Sequence, residues 1–367
     1  STNTDIRSYM AKLRYFPTES SELYFEKDAS TLALRYPNQV IIETWMQNPG
    51  SSFKAISTGP TRYMREHTDI DNYTLGAIKE YGSNLKLSLD YTHQYKAVAT
   101  SDTTQPDTAS GNRRYQNNAI DFNVDYKNGP FRVITGIQTF KGKMRQHEVH
   151  ASKENAGIFA QSYFDIDDST VMSLGVRKEW VDYTFDSRNG ATPEEALKKE
   201  DDFWAYDIGI NKSINDRLSV FSNFNTSFLS PDIDRLFVWN STFTAKTFNR
   251  MLPPANSQTI NIGINHVTPK NKLKLTLFNI KARKELYLIP HNAFVNTNLD
   301  KTHKFGLEFQ DKFNFNHALS ASFNYAWTRA IILSAGPENA NLTCLNRCSG
   351  NTLPGVPEHT IALGINY

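Results

Sequence analysis

Long apolar runs are missing from this chain of 367 residues. No run exceeds roughly five residues, Ala330–Leu333 being typical, whereas a helix that spans a bilayer needs about 18 or more. Spanning helices are therefore excluded. Cysteine is scarce: Cys344 and Cys348 are the only two, too few for a disulfide framework. The 18 Gly and 15 Pro are too few and too irregular for a collagen-like or low-complexity chain. An excess of one charge is also lacking, since 40 Lys and Arg stand against 38 Asp and Glu, a net +2. That near-balance carries no basic footprint of the kind nucleic-acid binding leaves, so no nucleic-acid partner is expected. The opening Ser1–Asp5 has no charged region followed by an apolar one, so any export signal is expected to have been removed or to lie outside this chain. Aromatics, by contrast, are plentiful, with 17 Tyr and 23 Phe, which argues against disorder.

What the sequence does have is alternation. Leu319, Ala321, Phe323, Tyr325 and Trp327 share one face, with Ser320, Ser322, Asn324 and Thr328 on the other. Ile260, Ile262 and Ile264 alternate with Asn261 and Asn265, and Leu85, Leu87, Leu89 and Tyr91 with Lys86, Ser88, Asp90 and Thr92. The same holds for Ile120, Phe122, Val124 and Tyr126, and for Ile361, Leu363, Ile365 and Tyr367. A period of two is a strand signal, and the three-and-four spacing of a helix is absent from these segments.

The connections alternate as well. Tight polar turns are expected at Pro17–Ser20, Tyr81–Asn84, Lys127–Pro130, Asp165–Ser169, Ser213–Arg217, Thr268–Lys272 and Asn314–Ala318. Between them fall longer connections: Asp28–Asp69, Ala97–Asn112, Gln146–Ser152, Ser187–Lys199, Ser230–Ala255, Pro290–Asn298 and Ala335–Gly355. About fifteen antiparallel strands of ~10–16 residues result, longer than the usual globular strand. Short turns at one end, long loops at the other and one apolar face predict an all-β transmembrane antiparallel barrel. A soluble propeller would repeat every ~40–50 residues, and no such repeat is present. Tyr9, Tyr15, Trp204, Tyr206, Tyr325 and Trp327 fall near strand ends, where interfacial girdles form.

Three segments carry a family resemblance. Ser227–Phe237, read as Ser-Phe-Leu-Ser-Pro-Asp-Ile-Asp-Arg-Leu-Phe, resembles the F-(K/R)-A-P-(D/x)-(I/L)-D-x-L-(F/Y) segment of TonB-dependent outer-membrane receptors. Leu252–Gly263 resembles the L-x-P-E-x-S-x-x-x-E-x-G strand lead-in of that family, with Ala255 where Glu is usual and Asn261 at the second Glu position. Leu353–Thr360 is similar to its L-P-G-V-P-x-H segment. The resemblance implies a 22-stranded barrel around an N-terminal plug. The chain would then be residues 1–367 of a partial barrel, about strands 4 to 18, with the plug, the first strands and the last strands absent. It also implies a multi-pass protein of a Gram-negative outer membrane that imports a scarce metal chelate. A ferric siderophore is the leading ligand, with cobalamin, nickel, zinc or haem as alternatives. The implied partners are the TonB–ExbB–ExbD complex, reached through the plug, and outer-membrane lipid and lipopolysaccharide. A passive porin or a surface adhesion barrel is the rival from another class.

Candidate sites fall on the long connections. Arg145, His147 and His150 form an H-x-x-H stretch in which two imidazoles could take haem iron or a metal, although the further ligands of a closed site are lacking. The resemblance implies that a haem receptor of the family would tend to carry a His between the two middle motifs, and the stretch from Phe237 to Leu252 has none. No dedicated metal site or cofactor is expected. Ser230–Ala255 mixes Arg235, Phe237, Trp239, Phe243, Phe248 and Arg250, rings and cations suited to a flat anionic chelate or simply to a loop packed on itself. Cys344 and Cys348 read first as a local disulfide that stiffens a loop tip, with a two-thiol metal site or free thiols as alternatives. Asp165, Asp167 and Asp168 fall at a tight turn, where turn chemistry accounts for them. No catalytic constellation stands out, so no enzyme is expected.

Overall fold

The computed structural model describes residues 3–37, 63–102, 112–146, 149–189, 192–193, 197–239, 246–248, 251–289, 295–336 and 349–367. The strands in chain order are β1 (Asn3–Thr18), β2 (Ser21–Pro37), β3 (Tyr63–Tyr81), β4 (Leu85–Asp102), β5 (Arg113–Asn128), β6 (Phe131–Gln146), β7 (Val149–Asp167), β8 (Thr170–Asn189), β9 (Thr192–Pro193) and β10 (Leu197–Asn215). They continue with β11 (Leu218–Leu229), β12 (Phe237–Trp239), β13 (Lys246–Phe248), β14 (Ala255–Val267), β15 (Asn271–Ile289), β16 (Val295–Asn314), β17 (Ser320–Ser334) and β18 (His359–Asn366). Fifteen of them follow one another in a single antiparallel sheet from β1 to β18. The short β9 lies off that path against β8, and β12 pairs with β13 in a separate ribbon. Among the described residues no helix is long and apolar enough to cross a membrane.

All seven expected tight turns are present. The β7–β8 turn shows how they are built. Asp167 accepts hydrogen bonds from the Ser169 backbone N–H at 2.8 Å and the Ser169 hydroxyl at 2.6 Å. These bonds hold its carboxyl at a pKa of about 2, below the ordinary carboxylate range.

The opposite ends differ from the sequence expectation. β2 runs to Pro37 and β3 begins at Tyr63, β4 runs to Asp102, and β8 and β10 reach Asn189 and Leu197. The stretch Gln146–Ser152, expected to be a loop, is mostly strand, with only residues 147–148 between β6 and β7. Beyond the lipid both faces of a strand can be polar. The backbone ladder therefore continues where the hydrophobic alternation that marks it has faded.

Alternation assigns the two faces. Ile137, Ile158, Leu174, Val176, Ile208, Ile210, Ile260 and Ile262 are exposed apolar residues on one face. A lipid-facing wall has this character. On β8 and β10, Lys178 lies 5.7 Å from the Trp180 ring and 5.1 Å from the Trp204 ring and ion-pairs with Asp202. Trp204 in turn stacks on Tyr206 at 6.1 Å. Rings with polar partners at the top of an apolar band mark a membrane interface.

The other face is a polar inner wall. Gln94 bridges Asn72 and Asn117 across β3, β4 and β5, each bond 2.8 Å. Gln138 donates to Asp121 at 2.6 Å and accepts from Arg177 at 2.6 Å, and Arg177 pairs with Glu179, which accepts from Asn155 at 2.7 Å. Bonded laterally, these groups need no core to bury them. Glycine makes room for the larger ones: a Cβ at Gly76 would run into the Tyr24 ring, which reaches across to Asp90.

Candidate functional site at the barrel mouth

The inner wall becomes apolar near the long-loop ends of β4 to β8. Val98, Tyr115, Met144, Val149, Ala151, Val181, Tyr183 and Phe185 form a buried cluster there, and the register places them on the same face as Asn117, Gln138 and Glu179. What buries them is the connection from β11 to β14. It leaves β11 at Leu229, makes a 3-10 turn over Ile233–Leu236, and inserts Ile233 and Leu236 into the cluster. The segment thus folds inward over the wall.

Polar anchors fix it at both ends. The Tyr115 hydroxyl lies 2.8 and 2.7 Å from the two oxygens of Asp234 and shares its single proton between them, and Arg113 adds an ion pair at 3.7 Å. The Lys153 ammonium donates to the Ser230 hydroxyl at 2.8 Å and to the Pro231 carbonyl at 3.2 Å. That carbonyl accepts a second bond from the Tyr183 hydroxyl at 2.9 Å. On the return, Lys199 donates to the Leu252 carbonyl at 3.1 Å and Asn298 to the Pro253 carbonyl at 2.9 Å.

Burial first, then the Asp234 charge, pushes the Tyr115 phenol upward, and burial does the same to Tyr183. Burial also lowers the Lys153 ammonium. A phenol raised in the folded state stabilises fully below its unfolded pKa of about 10, and that contribution is lost as pH rises through the folded value. The segment should stay docked through pH 10 and loosen only above it. Ultraviolet titration of the tyrosinates checks this: Tyr115→Phe and Tyr183→Phe should each remove one late-titrating phenol. Loss of a phenol that titrates near 10 would contradict the assignment.

The chain matches the family model described as TonB dependent receptor-like, beta-barrel, over residues 15–367. The chain belongs to this family. Its members are outer-membrane receptors of Gram-negative bacteria, and the fold agrees with solved barrels. The ferric yersiniabactin uptake receptor FyuA of Yersinia pestis superposes with a TM-score of 0.73 at 14% identity, covering 99% of this chain and 56% of that one. The siderophore receptor PiuA of Acinetobacter baumannii gives 0.73 at 12% identity, covering 100% and 62%. The copper transporter OprC gives 0.75 at 11% identity, covering 99% and 56%. This receptor barrel therefore spans 56% to 62% of the length of these relatives. No curated protein sequence matches it significantly.

The receptor's sequence-derived candidates separate in space. Arg235 sits half-buried in the docked 3-10 turn, and among the described residues its guanidinium has no hydrogen-bond or ion-pair partner. Trp239 ends β12 in the same connection, and Arg250 lies outside the described residues. Arg145 and His150 pair directly across β6 and β7, but on the face opposite Met144 and Ala151, so they point away from the mouth. His147, Cys344 and Cys348 lie outside the described residues. The anchors Tyr115, Lys153, Tyr183 and Asn298 are not legible in sequence, because each meets a partner far along the chain.

Proposed function

We propose that this barrel is part of an outer-membrane receptor that captures a ferric siderophore at its outer mouth and imports it. Energy would come from the TonB–ExbB–ExbD complex acting through a plug domain. The observation that carries the reading is Arg235: a half-buried cation without a partner among the described residues, held by a pinned segment at the mouth. A half-buried guanidinium without a partner suits a planar anionic chelate, to which it offers paired donors. Trp239 and Arg250 in the same connection add a ring and a second cation. The likeness of the fold to a ferric yersiniabactin uptake receptor and a siderophore receptor agrees with this reading.

Equilibrium binding to the full-length receptor tests it. Ferric catecholate, ferric hydroxamate, ferric citrate, cobalamin and free copper, nickel and zinc are titrated in turn. Saturable binding of one ferric chelate, displaced by its own class alone, is the expected result. Saturation by cobalamin or a bare metal ion instead would replace the siderophore reading, and no saturation by anything would favour a passive pore.

A further inference from the structure

Charge is divided across one stretch of the outer wall. On β5 and β6 the register sets Arg114 opposite Arg145, with Lys143 one row nearer the lipid. On β7, β8 and β10 it sets Glu154, Asp182 and Glu200 on a single row, carboxylate beside carboxylate across three strands. All six are exposed. Like charges directly opposite in a ladder oppose its formation. At the seam between the halves Lys141 pairs with Glu154 at 2.5 Å. Arg114, Lys143, Arg145, Asp182 and Glu200 have no hydrogen-bond or ion-pair partner among the described residues. Cations thus stand on one side of the β6–β7 seam and carboxylates on the other.

The two halves come to one height. Trp204 of β10 lies one row nearer the short turns than Trp180 of β8, because the register sets Trp180 against Asp202 and Trp204 against Lys178. Both rings belong to the interfacial girdle, so in these tilted strands the rows climb from β6 towards β10. Lys143 and Arg145 lie one and two rows beyond the row of Lys141, Glu154, Asp182 and Glu200. The climb brings them level with Asp182 and Glu200. Below the charges the seam carries Thr139 opposite Ala156, then Ile137 opposite Ile158. Small side chains in a membrane-facing wall let two backbones approach closely.

We propose that this face pairs with the same face of a second copy of the receptor in the plane of the membrane. The pairing rests on the membrane placement of the barrel and not on which chelate the receptor carries. Two receptors in one membrane point the same way, so a closed pair has its two-fold axis along the membrane normal. That rotation exchanges left and right but keeps height. It sets Arg114, Lys143 and Arg145 of each copy against Asp182 and Glu200 of the other, with the β6–β7 seam at the axis. A wall of one sign would repel its own copy, whereas a wall divided in this way complements it. An anionic lipid fits this face less well, since its phosphates would meet the carboxylate row beside the cations. The apolar wall beneath adds no preference, because lipid tails are as apolar as it is. The charges therefore select the partner.

Oxidative cross-linking of the full-length receptor in intact outer membranes tests the pairing. Ala156→Cys, beside the axis, should yield a covalent dimer. Leu277→Cys, exposed on β15 away from the seam, should yield no more dimer than the parent. Lys143→Glu with Arg145→Glu, or Asp182→Lys with Glu200→Lys, should each lower the Ala156→Cys dimer about tenfold or more. Co-expressed with distinguishable tags, the two reversed receptors should pair with each other and recover most of it. Heat-modifiable gel migration confirms that each variant has assembled. An Ala156→Cys receptor that stays monomeric, or two reversed receptors that fail to pair, would overturn the proposal. So would an acidic half whose reversal changes nothing, which would assign the cations to a lipid. None of these readouts involves a chelate, so a failed siderophore reading would leave them unchanged.

Discussion

Leu236→Ala should undock the β11–β14 connection while leaving the barrel assembled. Leu236 is 2% exposed and packs with Val98, Tyr115, Met144, Val181 and Phe185 on the inner wall. Truncating a fully buried leucine costs about 2–5 kcal/mol, partly in lost transfer energy and partly in the cavity left behind. In a core shared by a whole domain that cost would be spread over global stability. Here the cluster joins one segment to a wall that stands without it, so the loss falls on local docking. The open population should rise roughly 30-fold to several thousand-fold. Asp234→Ala should act in the same direction but less, because the Tyr115 hydroxyl has one proton to donate and the Arg113 pair is loose. One charge-assisted hydrogen bond is worth about 1.5–3 kcal/mol. Hydrogen exchange of the backbone amides at 232–236 in the full-length receptor measures both. Unchanged protection in Leu236→Ala would mean that the segment is held by its polar anchors alone, and that the apolar cluster is incidental.

Fifteen strands and seven tight turns follow from period-two patterning, because lipid on one side and water on the other force every residue of a crossing strand to declare its face. Above the lipid that pressure ends. β6 and β7 run on through Arg145 and from Val149, where polar residues occupy the outer face, and the pattern there reads as a loop. The H-x-x-H stretch reads as a single tip for this reason, whereas Arg145 and His150 are cross-strand partners facing outward. The Ser-Pro-Asp-Ile-Asp-Arg-Leu-Phe segment was legible as a feature but not as a plug of apolar side chains. Its Ile233 and Leu236 bury against strands more than 30 residues away in sequence, and its Asp234 bonds Tyr115 across 119 positions. Alternation reports which face a residue takes. It does not report what folds back onto that face.

Arg235→Ala is expected to weaken binding of the ferric siderophore by the full-length receptor about 10-fold to 100-fold. Its neighbours in the 3-10 turn are spoken for, Asp234 by Tyr115 and Arg113, Ile233 and Leu236 by the apolar cluster. Arg235 alone carries a half-buried charge without a partner among the described residues, so a bound anion recovers interaction energy that the protein itself does not use. Arg235→Lys keeps the charge but loses the planar fork, and it should retain part of the affinity rather than all of it. Adding Arg250→Ala should multiply the loss if both cations hold one ligand, to as much as about 1000-fold. Titration calorimetry with each variant separates this from undocking, since Arg235→Ala should leave the exchange of residues 232–236 unchanged whereas Leu236→Ala alters it. A double variant that binds as tightly as the parent would remove the arginines from the capture site. Weakened binding accompanied by loss of protection would instead assign Arg235 to holding the segment in place.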